Sequence, residues 1–297
     1  MTRTQFAGLV VISALWGSSF LFMRVLSPVL GPIFTASFRL LFAALSLGIV
    51  FVIRGERLDW KAHWKWFWLI GLINSAIPFV LYSFAALHLQ ASLSVILNST
   101  APMFGMVYGA LLLNEVVTSR KLFGLLLGTI GVAIISTVRT VTSDGLLYVA
   151  IAACVLASSM YGLSGAVIKR HVAHIESSHL VLGSMLFGGI SLLPFGLLAP
   201  IREPITASIV GLLALFGALG TATAYMIYFR LIRDVGPVKA LMTTYLMPVF
   251  GVVFGALILN ETITWRMGLG LAVILGGIYL ITSRRTRVID EPFPPGV

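Results

Sequence analysis

Ten long apolar runs, separated by short charged or proline-containing breaks, constrain the fold of this 297-residue chain more than any other feature. A helix needs about 20 mainly apolar residues to cross a bilayer, and each run approaches that length. The chain is 59% hydrophobic and only 10% charged, so it lacks the polar surface that a soluble globule requires. We therefore predict an all-α integral membrane protein with ten transmembrane helices, near residues 5–25, 33–53, 66–87, 92–113, 119–138, 146–168, 178–199, 208–230, 237–259 and 265–283.

The second half of the chain repeats the first. Residues 101–135 recur, shifted by 146 positions, as residues 247–281, and within 102–115 ten residues are identical to their counterparts. A five-helix unit begins and ends on opposite sides of the membrane, so its copy must be inserted upside down, as in the inverted repeats of secondary transporters. We predict two inverted five-helix repeats followed by a disordered cytoplasmic tail, with bounds at 1–140, 141–285 and 286–297.

The lysines and arginines predict the orientation of the chain, because these residues are retained on the cytoplasmic side. If the N-terminus lies inside, the outer side of the membrane keeps only Arg24, Arg139, Arg202 and Arg266. Both termini are therefore predicted to be cytoplasmic. The same distribution accounts for the formal charge of +10 as a thin basic rim on short loops, so we expect no nucleic-acid partner.

Each half closes with a proline-containing helix, an Asn-Glu-x-x-Thr turn and a helix with spaced glycines. The turns occupy 114–118 and 260–264, and the first half opens with Trp-Gly-Ser-Ser-Phe at 16–20, followed by Arg24. Together these features resemble the drug/metabolite transporter superfamily, EamA type. The resemblance implies transport of amino acids, other metabolites or drugs, and is nearest to the amino acid exporters of bacterial inner membranes. It implies no cofactor and no obligate protein partner.

The two turns also have predicted structural roles. The hydroxyls of Thr118 and Thr264 are placed to cap the following helices. Glu115 and Glu261 are close enough in sequence to pair with Arg120 and Arg266, or to take part in gating. Both readings of the carboxylates remain open at this point.

Helix breakers and polar residues on shared faces predict the transport path. Proline removes a backbone hydrogen bond, and membrane helices tolerate it where neighbours or a cavity satisfy the freed carbonyl. Polar and aromatic residues recur at helical spacing near these prolines and on the first and sixth runs. We predict hinges at Pro78, Pro102 and Pro248, and a substrate cavity lined by Trp16, Ser19, Met23, Asn74, Tyr82, Ser94, Asn98, Tyr161, Ser164, Thr221, Tyr225, Tyr228 and Thr244. Such a lining suits neutral or aromatic amino acids.

Charged residues inside the membrane are informative, because each costs ~2.5–3.5 kcal/mol at mid-bilayer on insertion scales. All ten acidic residues and all five histidines are predicted in loops or the tail, which leaves no proton relay. The exception among charged residues is Arg39 in the second run. It is a candidate for binding a substrate carboxylate, or else it bonds carbonyls at a helix end and extends to the interface.

The sequence does not favour a protease, a disulfide-linked protein or a metal-binding protein. The motif Gly-Leu-Ser-Gly at 162–165 matches a rhomboid-like protease pattern, but no predicted membrane segment supplies the histidine that would activate Ser164. A single cysteine, Cys154, excludes an internal disulfide, and no His and carboxylate cluster predicts a metal. We therefore predict a transporter that works by alternating access and is not an enzyme, with a drug or other metabolite exporter, a channel or a lipid flippase as the alternatives.

Overall fold

The computed structural model describes residues 2–136, 145–201, 203–235 and 242–282. Several sequence predictions fall outside these ranges: the boundary between the repeats at 140/141, the tail at 286–297, the first residues of the ninth run (237–241), the ends of the fifth and tenth runs (137–138 and 283), and the outer arginines Arg139 and Arg202. Within the described ranges nine helical segments are long and apolar enough to span a membrane, and Thr243–Leu259 is a shorter apolar helix. The predicted all-α membrane fold is confirmed.

Ten helical segments follow one another along the described part of the chain. They are α1 (Arg3–Leu30), α2 (Pro32–Arg54), α3 (Trp60–His88), α4 (Ala91–Leu113), α5 (Ser119–Ser136), α6 (Leu147–Val172), α7 (Ser177–Leu198), α8 (Ala207–Gly217, Ala218–Thr223 and Ala224–Val235 in succession), α9 (Thr243–Leu259) and α10 (Trp265–Thr282).

Several helices are longer than the sequence predicted, and in α1 and α3 the difference has a local cause. Helix α1 continues past the predicted end at residue 25, contains Pro28 and ends at Gly31, whose φ of 80° suits a residue without a side chain. Helix α3 begins six residues before the predicted residue 66, at Trp60, because the carboxylate of Asp59 accepts a hydrogen bond from the backbone N–H of Ala62 (3.0 Å).

Three helices are irregular within their length beside the cavity described below, and a fourth, α6, ends in a π-helical turn at Ile168–Val172. Helix α3 contains a π-helical turn at Leu72–Ala76, directly before Pro78, and α8 contains another at Ala218–Thr223. The two π turns begin 146 positions apart, which is the spacing of the sequence repeat. Helix α4 is interrupted between Asn98 and Ala101, directly before Pro102. Proline lacks the backbone N–H that would continue the helical hydrogen bonds. Pro78 and Pro102 therefore explain the irregularities in α3 and α4.

Glycines bring pairs of helices into close contact. A Cβ atom at Gly17 in α1 would lie 2.9 Å from the backbone N of Gly251 in α9. The counterpart contact joins α6 and α4, where a Cβ at Gly162 would lie 2.6 Å from the backbone N of Gly105. Small residues of this kind let helix backbones approach one another in a membrane.

The turns that close the two halves share one conformation. Asn114 and Asn260 both adopt positive φ values, 54° and 52°. The predicted helix caps are confirmed, since the hydroxyls of Thr118 and Thr264 accept hydrogen bonds from the N–H groups of Lys121 (3.3 Å) and Met267 (3.4 Å). The inverted orientation of the halves stays a prediction.

Candidate functional site

A cavity of about 670 Å³ lies among the helices. Its lining comes mainly from α1, α2, α3, α4, α6, α8 and α9. Ten residues that the sequence placed in a substrate cavity belong to the lining: Trp16, Ser19, Met23, Arg39, Tyr82, Asn98, Tyr161, Tyr225, Tyr228 and Thr244. That they bind substrate stays a prediction.

Arg39 occupies the second turn of α2 and is only 4% exposed. Its Nε–H donates to the hydroxyl of Thr221 (3.0 Å), and Nη2 lies 3.5 Å from the hydroxyl of Ser19. The guanidinium lies between the rings of Phe79 and Phe216, at 3.7 and 4.1 Å from their centroids. These contacts hold the charge inside the protein and do not lead to carbonyls at the helix end, so the interfacial role considered for Arg39 does not fit its geometry.

A hydrogen-bond network surrounds Tyr82, which is buried in α3. Its hydroxyl donates to Oδ1 of Asn98 (2.6 Å) and lies 2.9 Å from the hydroxyl of Ser158 in α6. The Nδ2 of Asn98 contacts the sulfur of Met247 in α9 at 3.8 Å. Asn98 is the last helical residue before the break in α4, so the network joins that break to α3, α6 and α9.

Aromatic rings form the other wall of the cavity. Trp16 packs against Tyr225 and Tyr228 of α8, with ring centroids 5.6 and 5.0 Å apart. Tyr82 stacks on Tyr161 at 6.2 Å and meets Phe20 edge-on at 5.2 Å. The cavity therefore combines aromatic surface with neutral hydrogen-bonding groups and the buried cation of Arg39, a lining suited to an amphipathic solute.

The cavity reaches one end of the helices through Glu115, Lys121 and Lys169, which we call the mouth. Nζ of Lys169 donates to Oε1 of Glu115 at 2.7 Å. This hydrogen bond, together with the charges of Lys169 and Lys121, holds the pKa of the Glu115 carboxyl below its ordinary value. Glu115 thus forms its ion pair with Lys169 of α6. The sequence had suggested Arg120 as the partner.

The opposite end is packed shut. Leu26, Leu30, Leu89 and Leu93 are at most 1% exposed there, and we call this group the closed end. Glu261 accepts hydrogen bonds there from the N–H groups of Ala91 and Ser92 (2.6 and 3.0 Å) and from the hydroxyl of Ser92 (2.6 Å). Glu261 therefore caps the first turn of α4 in place of the ion pair with Arg266 that the sequence had suggested.

Comparison with known proteins identifies the family. The model of the EamA-like transporter family matches residues 6–137 and again residues 148–283. The chain belongs to this family. It is therefore a multi-pass membrane protein of a transporter family, and the EamA-type resemblance read from the turns and the first helix is confirmed.

Members of the EamA-like family from distant organisms align along most of the chain. An uncharacterized transporter of Archaeoglobus fulgidus is 26% identical over 91% of this chain and 95% of its own length. The uncharacterized transporter YoaV of Bacillus subtilis is 24% identical over 94% and 97%, and protein PecM of Dickeya dadantii 23% over 92% and 92%. A crystal structure matches with a TM-score of 0.64 at 16% identity, covering 94% of this chain and 96% of that one, which shows a shared fold.

Four residues predicted for the cavity lie outside its lining: Asn74, Ser94, Ser164 and Thr221. Asn74 and Thr221 lie within the π turns, which interrupt the 3.6-residue period on which the shared faces were predicted. Ser94 and Ser164 lie instead in regular helix, Ser94 one turn before Asn98, and both are buried in the packing between helices. Although Asn74 and Thr221 lie outside the lining, both residues contact it: Asn74 forms a hydrogen bond with Tyr225, and Thr221 forms one with Arg39.

The predicted hinges differ in their surroundings. Pro78 follows the π turn of α3 and Pro102 follows the break in α4, whereas Pro248 lies inside the unbroken helix Thr243–Leu259. That these three positions bend during transport stays a prediction. The geometry shows only that two of the three prolines already adjoin a departure from regular helix.

Sequence reasoning missed several residues of the site. Phe79 and Phe216, which hold Arg39, were not distinguishable from other apolar core residues. Ser158 could have been found, because it lies three residues before Tyr161, on adjoining turns of α6. The residues of the mouth come from separate loops and helix ends, and no spacing in the sequence brings them together.

Proposed function

We propose that the protein is a carrier that moves small amphipathic metabolites, with neutral or aromatic amino acids as the first candidates, across a bacterial inner membrane by alternating access. The observation that carries this proposal is the cavity itself, which holds Arg39 and aromatic rings, reaches the mouth and is shut at the other end. A single site exposed to one side at a time is what alternating access requires.

The lining supports a solute with a carboxylate and an apolar body. The buried guanidinium of Arg39 can donate two parallel hydrogen bonds to a carboxylate. The rings of Trp16, Tyr161 and Tyr225 offer apolar surface within the same cavity. Similar proteins from other organisms are named transporters, and these names state no substrate.

We also propose that transport needs no proton relay and runs as facilitated diffusion or export down the solute's own gradient. Among the described lining residues, Glu115 at the mouth is the only carboxylate, and none is a histidine. A proton carrier normally places such a group beside the substrate. Lysines and arginines on the mouth side support cytoplasmic termini and a mouth that faces the cytoplasm.

The test is uptake of labelled phenylalanine, leucine and other amino acids into liposomes that hold the purified protein, with no ion gradient. Saturable, stereoselective uptake that stops at equal concentrations and is reduced by unlabelled competitors would support the carrier. Nonsaturating flux would indicate a channel, and movement of labelled phospholipid a flippase. Accumulation driven by an imposed pH gradient would contradict the absence of proton coupling.

A further inference from the structure

The charges that line the cavity are mostly positive. Among the described lining residues three are basic and one is acidic: Arg39, Lys121, Lys169 and Glu115. The acidic residue already pairs with Lys169 at the mouth, at 2.7 Å. Among these described residues, the positive charge of Arg39, deeper in the cavity, therefore has no carboxylate beside it. A cavity lined in this way attracts anions.

The groups around Arg39 accept some of the hydrogen bonds that its guanidinium can donate, but they do not neutralise its positive charge. Phe79 and Phe216 cover the two faces of the guanidinium, and the hydroxyls of Thr221 and Ser19 meet Nε and one Nη nitrogen. These groups are all neutral. The remaining N–H groups lie in the plane of the guanidinium, along the edge that a carboxylate can meet with two parallel hydrogen bonds.

We propose that the cavity selects solutes with one net negative charge, namely amphipathic carboxylates that lack a compensating ammonium group, and that each transport cycle moves that charge across the membrane. This inference rests on the proposed carrier function and, within the amphipathic metabolites, replaces amino acids as first candidates with carboxylates of similar shape that lack the ammonium group.

Charge balance in the closed cavity favours the anion over a zwitterion. A bound monoanion neutralises Arg39, so the cavity can close around a site of zero net charge. A bound zwitterion leaves one positive charge in the membrane interior, where an uncompensated charge is costly. Among the described lining residues, its ammonium group would also find no carboxylate at that depth.

The inference also gives transport a direction and a driving force. In a cell whose interior is electrically negative, the membrane potential drives an anion outward, so export needs no proton relay. A membrane potential acts on one charge with ~2.3 kcal/mol per 100 mV, so an electrogenic uniporter of a monoanion reaches a tenfold concentration ratio at about 60 mV.

The test compares three labelled probes that share one aromatic body: phenylpyruvate (net charge −1), phenylalanine (zwitterion) and phenethylamine (net charge +1). Flux is measured in liposomes holding the whole protein, with the potential set by a potassium gradient and valinomycin, and protein-free liposomes give the background. We expect saturable flux of phenylpyruvate, with kcat/KM at least about tenfold above that of phenylalanine, and accumulation on the positive side of the membrane.

Variants separate the charge of Arg39 from its structural role. In Arg39→Gln we expect the preference for phenylpyruvate over phenylalanine to disappear, whereas Arg39→Lys keeps the preference with a higher KM. The control is Arg24→Gln, which removes an arginine of α1 that bonds the carbonyl of Ala86 and does not line the cavity, and which should leave the preference unchanged.

Two failures are distinguishable. Flux of phenylalanine that equals or exceeds that of phenylpyruvate in kcat/KM and ignores the potential overturns this inference and leaves the carrier standing. No protein-dependent flux of any probe contradicts the proposed function and the inference with it. The comparison of probes in the unaltered protein gives this answer even if the Arg39 variants do not fold.

Discussion

At the scale of single residues, Tyr82 links four residues in and around the cavity. Its hydroxyl meets Asn98 and Ser158, while its ring packs between Phe20 and Tyr161. Because it is buried, each of these contacts replaces water that the side chain would otherwise bind. Removing the hydroxyl leaves neighbouring polar groups with one partner fewer inside the membrane.

We expect Tyr82→Phe to lower the free energy of unfolding by about 1 kcal/mol and to raise KM several-fold. The matched control is Tyr108→Phe, which breaks a similar bond to Ser159 (3.0 Å) outside the cavity lining. Thermal unfolding in detergent and liposome uptake measure the two effects. A rise in KM of the same size in both variants would contradict the assignment of Tyr82 to the site.

At the scale of helices, regularity explains part of how well the sequence predicted the site. Helix α1 is unbroken, and Trp16, Ser19 and Met23, chosen by helical spacing, all line the cavity. In α3 and α8 a π turn shifts one residue of the predicted face, Asn74 or Thr221, away from the lining. Pro78 marks the π turn of α3 in the sequence, but no proline accompanies the π turn of α8.

The contact between α5 and α10 offers a matched pair of glycines. A Cβ at Gly277 would lie 2.5 Å from the carbonyl oxygen of Gly124, whereas a Cβ at the adjacent Gly276 meets no atom within 4 Å. We expect Gly277→Ala to destabilise the protein by about 1–3 kcal/mol, because backbone atoms cannot move aside. Gly276→Ala should be neutral or slightly stabilising. Equal melting temperatures for the two variants, measured in detergent, would contradict this helix contact.

Glu261 is expected to hold the closed end shut through its three hydrogen bonds to α4. Glu261→Ala removes all three acceptor contacts, so the closed end should open more often. The measurement is labelling of a Leu89→Cys reporter by an impermeant maleimide, with Cys154, the sole natural cysteine, changed to serine.

In this assay we expect labelling at least about fivefold faster in Glu261→Ala, corresponding to ~1 kcal/mol. Glu115→Ala, which alters the equivalent turn at the mouth, serves as the control and should not accelerate it. Slow labelling in both variants would show that packing of the leucines alone keeps this end shut.

At the scale of the whole molecule, two copies of one turn hold different partners. Glu115 and Glu261 follow asparagines of the same conformation, yet Glu115 pairs with Lys169 at an open mouth while Glu261 caps α4 at a closed end. The two copies of the repeated turn thus have different surroundings, one at an open end of the cavity and one at a closed end. One state of an alternating-access cycle would show this asymmetry.

The charge of Arg39 has a consequence for the whole cycle. An empty carrier must close around an unneutralised guanidinium, which costs ~2.5–3.5 kcal/mol on insertion scales. A loaded carrier avoids this cost. Exchange of solute for solute should therefore be faster than net transport.

The measurement that tests alternating access most directly is entry of labelled phenylpyruvate into liposomes, with and without unlabelled phenylpyruvate inside. We predict entry at least about tenfold faster with internal solute, because the carrier then returns loaded and the avoided cost exceeds the ~1.4 kcal/mol that corresponds to tenfold. An entry rate that does not depend on the internal solute would contradict a single site that is alternately exposed.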